Sequence, residues 1–229
     1  MIIDYTIFGE RNSGTNYLRR VMDDNFHLPF TKLYGFKHWF IKDLYPRGRP
    51  NTTTDNECLK PLTHGAQTLF LFIVRNPIDW VGSMFKKPYH FKRPDRSSLL
   101  NFVSSHYLMS YDRQPQDHLD SSETPWYTDP TTKTYFVEES KNLITLRNEK
   151  YDHFYELRNH VRYFSLIRLE HLKEDIQKIL DDYPLKSRNS SGLVFNEFRN
   201  PGKYELDDAT LDFMARSLDN SVDREHYSA

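Results

Sequence analysis

Residues 2–18 read IIDYTIFGERNSGTNYL, and this stretch decides the fold of the chain. An apolar run with β-branched residues ends at Gly9, a turn rich in Gly, Ser and Thr follows, and apolar residues at helical spacing begin at Leu18. The order strand, tight loop, helix predicts that backbone N–H groups at the helix start face a bound phosphate. Gly9 and Gly14 have the spacing of the two glycines in G-x-x-x-x-G-K-[ST], and Thr15 follows directly.

The lysine of that phosphate loop is missing, because Thr15 comes immediately after Gly14. An NTPase uses the lysine to hold the β- and γ-phosphates of its nucleotide. The sequence therefore favours a bound phosphate group that does not belong to a triphosphate. A glycine turn that joins a strand to a helix and binds no ligand is the alternative interpretation.

Composition and charge narrow the class of protein. The chain has 229 residues, enough for one α/β domain with a full core, and a formal net charge of −1. This charge balance does not indicate a nucleic-acid partner. Cys58 is the single cysteine, so no internal disulfide can form, and no apolar run approaches the length of a membrane span. We expect a soluble, cytoplasmic protein with no membrane partner.

The remaining pattern alternates strands with helices. The most apolar run, residues 68–74, predicts a central parallel strand that is buried on both faces. Further strands are predicted over 33–40 and 161–169, and helices over 14–24, 78–85, 98–110, 136–157, 170–180 and 207–218. We therefore predict an α/β fold, with 1–229 as a single domain built on a central parallel sheet flanked by helices. Ligands of such sheets bind at the carboxyl ends of the strands, where the glycine loop, Lys37-His38 and Arg75 would lie.

A second motif follows the central strand. Residues 75–83 read RNPIDWVGS, which places Arg75 directly before a helix and Ser83 about two turns into it, so that both side chains can reach one phosphate. With this motif and the Ser13-Gly14-Thr15 core of the first loop, the chain resembles the sulfotransferases that use 3′-phosphoadenosine-5′-phosphosulfate (PAPS). The resemblance runs over most of the chain in order, and its later motifs are weaker than these two.

The resemblance implies a P-loop-like phosphosulfate-binding loop and a 3′-phosphate site at the second motif. In that family the first loop holds the 5′-phosphosulfate, and a tryptophan at the position of Tyr17 stacks on adenine. A C-terminal Arg-Lys-Gly loop, similar here to residues 199–203, also meets the 3′-phosphate. The residues that the resemblance assigns to the PAPS site are Arg11, Asn12, Ser13, Gly14, Thr15, Asn16, Tyr17, Arg75, Ser83, Arg199, Gly202 and Lys203.

The sequence departs from the family at two positions. The cytosolic and glycosaminoglycan enzymes of the family place a lysine immediately before the Ser/Gly-Gly-Thr core, where it stabilises the leaving phosphate, and this chain has Asn12 there. Arg11 or Lys37 is expected to supply the missing charge, and a surface ion pair is the alternative role of Arg11. Cytosolic members of the family also end the second strand with Lys-Thr-His, whereas Lys37 and His38 are adjacent here. In a regular strand only one of these two side chains can face the site, unless the strand has already ended.

His38 is the expected general base, because the ordinary pKa of histidine lies near physiological pH. A histidine that packs beside Trp39 and takes no part in chemistry is the alternative, and Glu10 is the second candidate base. The expected reaction transfers the sulfuryl group of PAPS in line to a hydroxyl, or less readily an amine, of a small-molecule or carbohydrate acceptor. His38, Lys37 and Arg11 form the expected catalytic set. No metal is required, since cationic side chains supply the positive field.

Two other functions are compatible with the same motifs. A nucleotide or small-molecule kinase would share the loop and the sheet, and would need Mg²⁺ and usually the missing lysine. A catalytically inactive module could bind PAPS or its product 3′,5′-adenosine bisphosphate (PAP) while Asn12 replaces the lysine. Magnesium-dependent turnover of ATP would distinguish the first from sulfuryl transfer, and binding of PAP without any transfer would distinguish the second.

Overall fold

The computed structural model describes residues 1–34, 37–38, 62, 65–88, 91, 94–110, 137–196 and 204–227. Its strands are β1 (Asp4–Phe8), β2 (Thr68–Val74), β3 (Tyr107–Ser110), β4 (Val137–Ser140) and β5 (Tyr163–Arg168). Its helices are α1 (Thr15–Asn25), α2 (Pro77–Lys86), α3 (Leu99–Ser104), α4 (Leu143–Glu156), α5 (Leu172–Asp182), α6 (Asp208–Ser217) and α7 (Ser221–His226). None of the helices in the described residues is long and apolar enough to cross a membrane.

Three parallel strands form the central sheet, in the order β1-β2-β5. All seven residues of β2 are buried, as the unbroken apolar run predicts for a middle strand with both faces covered. Phe8 at the end of β1 pairs with Phe72, and Arg168 at the end of β5 pairs with Val74. The carboxyl ends of the three strands therefore meet at one edge. The prediction of an α/β chain with a parallel sheet flanked by helices is confirmed.

Helices cover both faces of this sheet. On one face α1 and α5 contribute Leu18 and Ile176 to the core, and on the other face α4 and α7 contribute Tyr151 and Val222. Each fully buried aliphatic side chain at these contacts contributes about 1.5–3 kcal/mol by leaving water. Since α4 packs on the sheet in this way, the side chains on its inner face are held in fixed positions relative to the strands.

A second core lies beside the sheet, around Trp80 of α2. Helices α3, α4 and α6 contribute Phe102, Ile144 and Met214 to it, and all four side chains are buried. This cluster attaches α2 to the rest of the fold. Its position matters for function, because α2 begins at the tip of β2 and carries the second motif of the sequence.

Some predicted elements differ from the structure. Residues 33, 34, 37 and 38 form turns, whereas the sequence predicted a strand over 33–40. The helix predicted over 98–110 ends at Ser104, and the helix predicted over 136–157 begins at Leu143. The reason is that residues 107–110 and 137–140 pair as the antiparallel strands β3 and β4. The two segments lie far apart in the chain, and local periodicity does not reveal such a pairing.

Candidate functional site

The glycine loop, residues 9–14, leads from β1 into α1. A Cβ at Gly9 would lie 2.6 Å from a carbonyl oxygen of β2, so only glycine fits this close approach. Gly14 precedes the helix with a φ of 91°, in the left-handed region, and no side chain caps the helix start. Among the described residues, nothing accepts a hydrogen bond from the backbone N–H groups of Thr15 and Asn16. The loop therefore presents donors at the positive end of a helix dipole.

The arginine of the second motif reaches this loop. Arg75 follows the last residue of β2, and its Nη1 donates to the carbonyl oxygen of Asn12 at 3.1 Å. Trp80 on α2 donates from Nε1 to the carbonyl oxygen of Arg11 at 2.7 Å. Both side chains bind carbonyl groups of the loop, so neither of them occupies the backbone N–H groups at the start of α1. The two motifs that the sequence assigned to anion binding are adjacent in the fold.

Asn12 stands where the resemblance expects a lysine, and its side chain is directed at α2. Its φ of 60° lies in the left-handed region, which asparagine tolerates better than most residues. Its Nδ2 donates to the carbonyl oxygen of Lys87 at 3.2 Å and lies 3.0 Å from the sulfur of Met84. The side chain thus binds the C-terminal end of α2, and it brings no positive charge to the loop.

Tyr204 packs on α2 at Gly82, the residue before Ser83. Ser83 is partly exposed, and its hydroxyl makes no hydrogen bond to another described residue. A Cβ at Gly82 would fall within the ring of Tyr204, so that ring lies directly against the helix beside Ser83. The Tyr204 hydroxyl oxygen is buried and has no partner among the described residues. Three predicted site residues of the C-terminal segment lie outside the described residues: Arg199, Gly202 and Lys203.

Lys37 and His38 both reach the glycine loop. The Lys37 carbonyl oxygen accepts from the N–H of Gly9 at 2.9 Å, and the Lys37 Nζ donates to the side-chain oxygen of Asn16. His38 Nδ1 lies 2.6 Å from the carbonyl oxygen of Gly9. Adjacent residues would diverge in a regular strand, but these two lie in a turn. The structure therefore brings the Lys37 side chain to the start of α1 and the His38 side chain to the glycine loop, which contains Arg11, the third predicted catalytic residue.

The hydrogen bond of His38 defines its tautomer. A carbonyl oxygen can only accept, so Nδ1 carries the proton and donates to Gly9, and Nε2 carries the lone pair of the neutral ring. Burial lowers the pKa of His38 well below its ordinary value of 6.5, and the positive charges of Arg11 and Lys37 lower it further. The ring is therefore neutral at physiological pH, which is the form that a general base requires.

Glu10 is held by two buried cations. Its Oε1 accepts from the backbone N–H of Arg11 at 2.8 Å and from the Arg11 guanidinium at 3.3 Å. The Lys150 ammonium on α4 lies 3.0 Å from Oε2 of Glu10 and also donates to the carbonyl oxygen of His38 at 2.9 Å. All three ionised side chains are 4% exposed or less. Arg11 is thus part of a buried ion cluster rather than a surface ion pair, and this cluster fixes the base of the loop.

A second buried ion pair lies behind Arg75. Arg147 on α4 is fully buried, and its guanidinium donates to both carboxylate oxygens of Asp223 on α7, at 2.8 and 2.7 Å. The same guanidinium donates to the carbonyl oxygen of Arg75 at 2.7 Å. Sequence reasoning missed Arg147, Lys150 and Asp223. The available signal was that Arg147 and Lys150 fall on the apolar stripe of α4, where a charged side chain needs a buried partner.

Of the predicted PAPS-site residues, Ser13 and Tyr17 make polar contacts within the fold, and Thr15 is buried. Ser13 is fully buried, and its Oγ lies 3.5 Å from the hydroxyl oxygen of Tyr151. Thr15 is 6% exposed. Tyr17 donates from its hydroxyl to the carbonyl oxygen of Asn196 at 2.6 Å, and its ring packs partly against the core of α1 and α5. A side chain of α4 and a backbone carbonyl of the C-terminal segment thus contact the loop and the first turn of α1, and the N–H groups of Thr15 and Asn16 lie at the start of that helix.

Comparisons of this chain with family models, with curated proteins and with solved structures found no match. Within the described ranges, no group of three or more His, Cys, Asp or Glu side chains is placed to hold a metal ion. The functional interpretation therefore depends on the arrangement of donors and cations around the glycine loop.

Proposed function

We propose that this protein is a sulfotransferase that uses PAPS. The observation that carries the proposal is the hydrogen bond from Arg75 Nη1 to the carbonyl oxygen of Asn12, at 3.1 Å. It joins the Arg-Asn-Pro motif to the glycine loop at the carboxyl edge of a parallel sheet, where ligands of such sheets bind. Two adjacent groups of anion-binding donors suit a nucleotide that carries a phosphate at each end of one adenosine.

The residues present fit such a ligand. The N–H groups of Thr15 and Asn16 are suited to a 5′-phosphate, because they lie at a helix start and have no partner in the described part of the chain. Arg75 and the uncommitted hydroxyl of Ser83 are suited to a 3′-phosphate. A triphosphate fits less well, since Asn12 directs its side chain to α2 and no lysine follows Gly14.

The side chains around the loop suit sulfuryl transfer. When bound, PAPS supplies the sulfuryl group: the bond from sulfur to the 5′-phosphate oxygen breaks while a bond from the acceptor oxygen to sulfur forms. His38 takes the acceptor proton on Nε2, the nitrogen left with a lone pair by the bond of Nδ1 to Gly9. The Lys37 ammonium and the loop N–H groups offset the negative charge that gathers on the leaving oxygen.

Glu10 is less suited to be the base than His38. Its carboxylate lies against Arg11 and Lys150 inside the fold, so accepting a proton would leave two buried cations without their counter-charge. Arg11 acts on the site through its position: its positive charge helps to keep His38 neutral, and its guanidinium is fixed by Glu10. The acceptor that we propose is a hydroxyl group of a small molecule or a carbohydrate.

Calorimetry with PAP, 5′-AMP and ATP tests this function. We expect the wild-type protein to bind PAP more tightly than either other nucleotide. Arg75→Ala should weaken PAP binding by about 10- to 100-fold, the loss of one charge-assisted phosphate contact, and should leave 5′-AMP binding nearly unchanged. Arg20→Ala is the matched control, because Arg20 is an exposed arginine on α1. Equal affinity for PAP and 5′-AMP would contradict the proposal.

A catalytically inactive binding module is the second candidate. The observation that favours it is the direction of Asn12, whose amide binds the end of α2 and adds no charge where the family carries lysine. Transfer from ³⁵S-labelled PAPS to a panel of phenols, alcohols, amines and oligosaccharides distinguishes the two. Labelled product that disappears in His38→Ala supports the enzyme, and tight PAP binding with no labelled product supports the module. Magnesium-dependent ATP turnover would contradict both.

A further inference from the structure

The hydroxyl of Tyr151 lies between the two motifs. Tyr151 belongs to α4, and its hydroxyl oxygen is 3.5 Å from Oγ of Ser13 in the glycine loop and 3.4 Å from the backbone nitrogen of Arg75. The residue is fully buried, and its ring packs edge-on against Phe72 of β2. One atom on a helix thus touches both the loop that follows β1 and the residue that follows β2.

Arg147 fixes the position of that hydroxyl. Its Nη1 donates to the Tyr151 oxygen at 2.8 Å, and its Nη2 donates to the carbonyl oxygen of Arg75 at 2.7 Å. Two further donors of the guanidinium, on Nε and Nη2, bind the two carboxylate oxygens of Asp223, which sets the plane of the group. Because Arg147 and Tyr151 are both buried, neither can turn toward water as an alternative.

The Tyr151 oxygen accepts two hydrogen bonds. Arg147 and the N–H of Arg75 both donate to the Tyr151 oxygen. Burial raises the pKa of Tyr151, so the phenol keeps its proton at physiological pH. Ser13 Oγ lies 3.5 Å from the Tyr151 oxygen, and either hydroxyl can be the donor in this contact. A continuous set of polar contacts therefore runs from Arg147 through Tyr151 to the glycine loop.

We propose that Tyr151, held by Arg147, is a positioning residue that sets the spacing between the glycine loop and Arg75, and thereby the preference for a nucleotide with phosphates at both ends. This inference depends on the function proposed above. Tyr151 and Arg147 lie beneath the loop and act through Ser13 and Arg75 rather than by touching the ligand.

The inference has a specific energetic consequence. A bisphosphate gains from the second group of donors only if their separation matches the ligand, since the first contact then places the second phosphate at a high effective concentration. A monophosphate uses one group and is insensitive to the separation. Loosening the contact should therefore reduce the affinity for PAP much more than the affinity for 5′-AMP. A role in stability alone would lower the melting temperature and leave the ratio of the two affinities unchanged.

The test compares Tyr151→Phe with Tyr155→Phe. Both variants remove one hydroxyl from α4, and the Tyr155 hydroxyl donates to Glu225 of α7 without touching either motif. Dissociation constants for PAP and 5′-AMP are measured by calorimetry at a temperature well below the melting temperature of each variant. We expect Tyr151→Phe to lower the ratio of the 5′-AMP constant to the PAP constant by about tenfold, and Tyr155→Phe to retain the wild-type ratio.

A double-mutant cycle with Ser13→Ala shows whether Tyr151 acts through the loop. If it does, adding Tyr151→Phe to Ser13→Ala lowers the ratio far less than it does in the wild-type protein. Ser13→Ala alone tests the same contact from the loop side if Tyr151→Phe does not fold. A wild-type ratio near one contradicts the proposed function itself. A high wild-type ratio that survives in Tyr151→Phe, or in Ser13→Ala, contradicts only the positioning role.

Discussion

Removing the carboxylate of Asp223 should destabilise this protein strongly. The side chain is 6% exposed and binds a fully buried guanidinium at two points, 2.8 and 2.7 Å. Asp223→Ala leaves Arg147 as a buried positive charge without its counter-ion, and such losses cost about 3–5 kcal/mol. For a chain of this length, each kcal/mol lowers the melting temperature by about 2–4 °C, so we expect a decrease of roughly 6–20 °C.

Equilibrium unfolding in urea and a thermal melt measure this effect. The double variant Arg147→Met/Asp223→Leu removes both charges and keeps similar volumes, so it should recover most of the stability that Asp223→Ala loses. Asp219→Ala is the control, because Asp219 and Arg224 form an exposed ion pair on the same segment, and its loss should leave the unfolding midpoint unchanged. The reasoning is refuted if Asp223→Ala stays within about 1 kcal/mol of wild type.

Three further predictions concern single residues. His38→Ala should lower turnover by about 10²–10⁴-fold while PAP affinity stays within about threefold, measured by labelled transfer and calorimetry; near-full turnover would remove it as the base. Burial lowers the pKa of His153 to about 3, and the charge of Lys150 adds to the effect. Below pH 6.5 this ring therefore becomes protonated in the unfolded chain while it stays neutral in the folded protein. Stability should therefore fall between pH 6.5 and about 3, and His153→Gln should lose less than wild type in urea titrations at pH 7 and pH 5; equal losses would contradict this. Gly82→Ala should cost about 1–3 kcal/mol in urea unfolding, because the new Cβ would displace the ring of Tyr204, and unchanged stability would show that the ring can move freely.

The sequence predicted all three strands of the central sheet, because each contains a short apolar stretch, although only β2 is buried along its whole length. The unbroken apolar run at 68–74 is typical of a strand covered on both faces, and the structure confirms it as β2. The pair of β3 and β4 escaped prediction because it depends on a partner distant in the chain. The strand predicted over 33–40 was inferred from local apolar content, but Lys37 and His38 lie in a turn and bind the glycine loop.

The candidate site was predictable where it follows from topology. Parallel strands end at one edge, so the glycine loop and Arg75 had to be neighbours, and they are in contact. The approach of both Lys37 and His38 to the glycine loop could not be predicted, because it depends on the two residues lying in a turn rather than in a strand. The buried cations on α4 were missed for a different reason. Arg147 and Lys150 contact the loops only because α4 packs on the sheet, and local sequence does not reveal that packing.

The link between α7 and the tip of β2 has a consequence for synthesis. Asp223 meets Arg147 across 76 positions of the chain, and Arg147 meets Arg75 across a further 72. Before the ribosome adds Asp223, the growing polypeptide already contains every residue of the glycine loop. In that state the buried guanidinium of Arg147 lacks its counter-ion. The nucleotide binding that we propose should therefore appear late in translation, and products that end before α7 should be degraded by proteases.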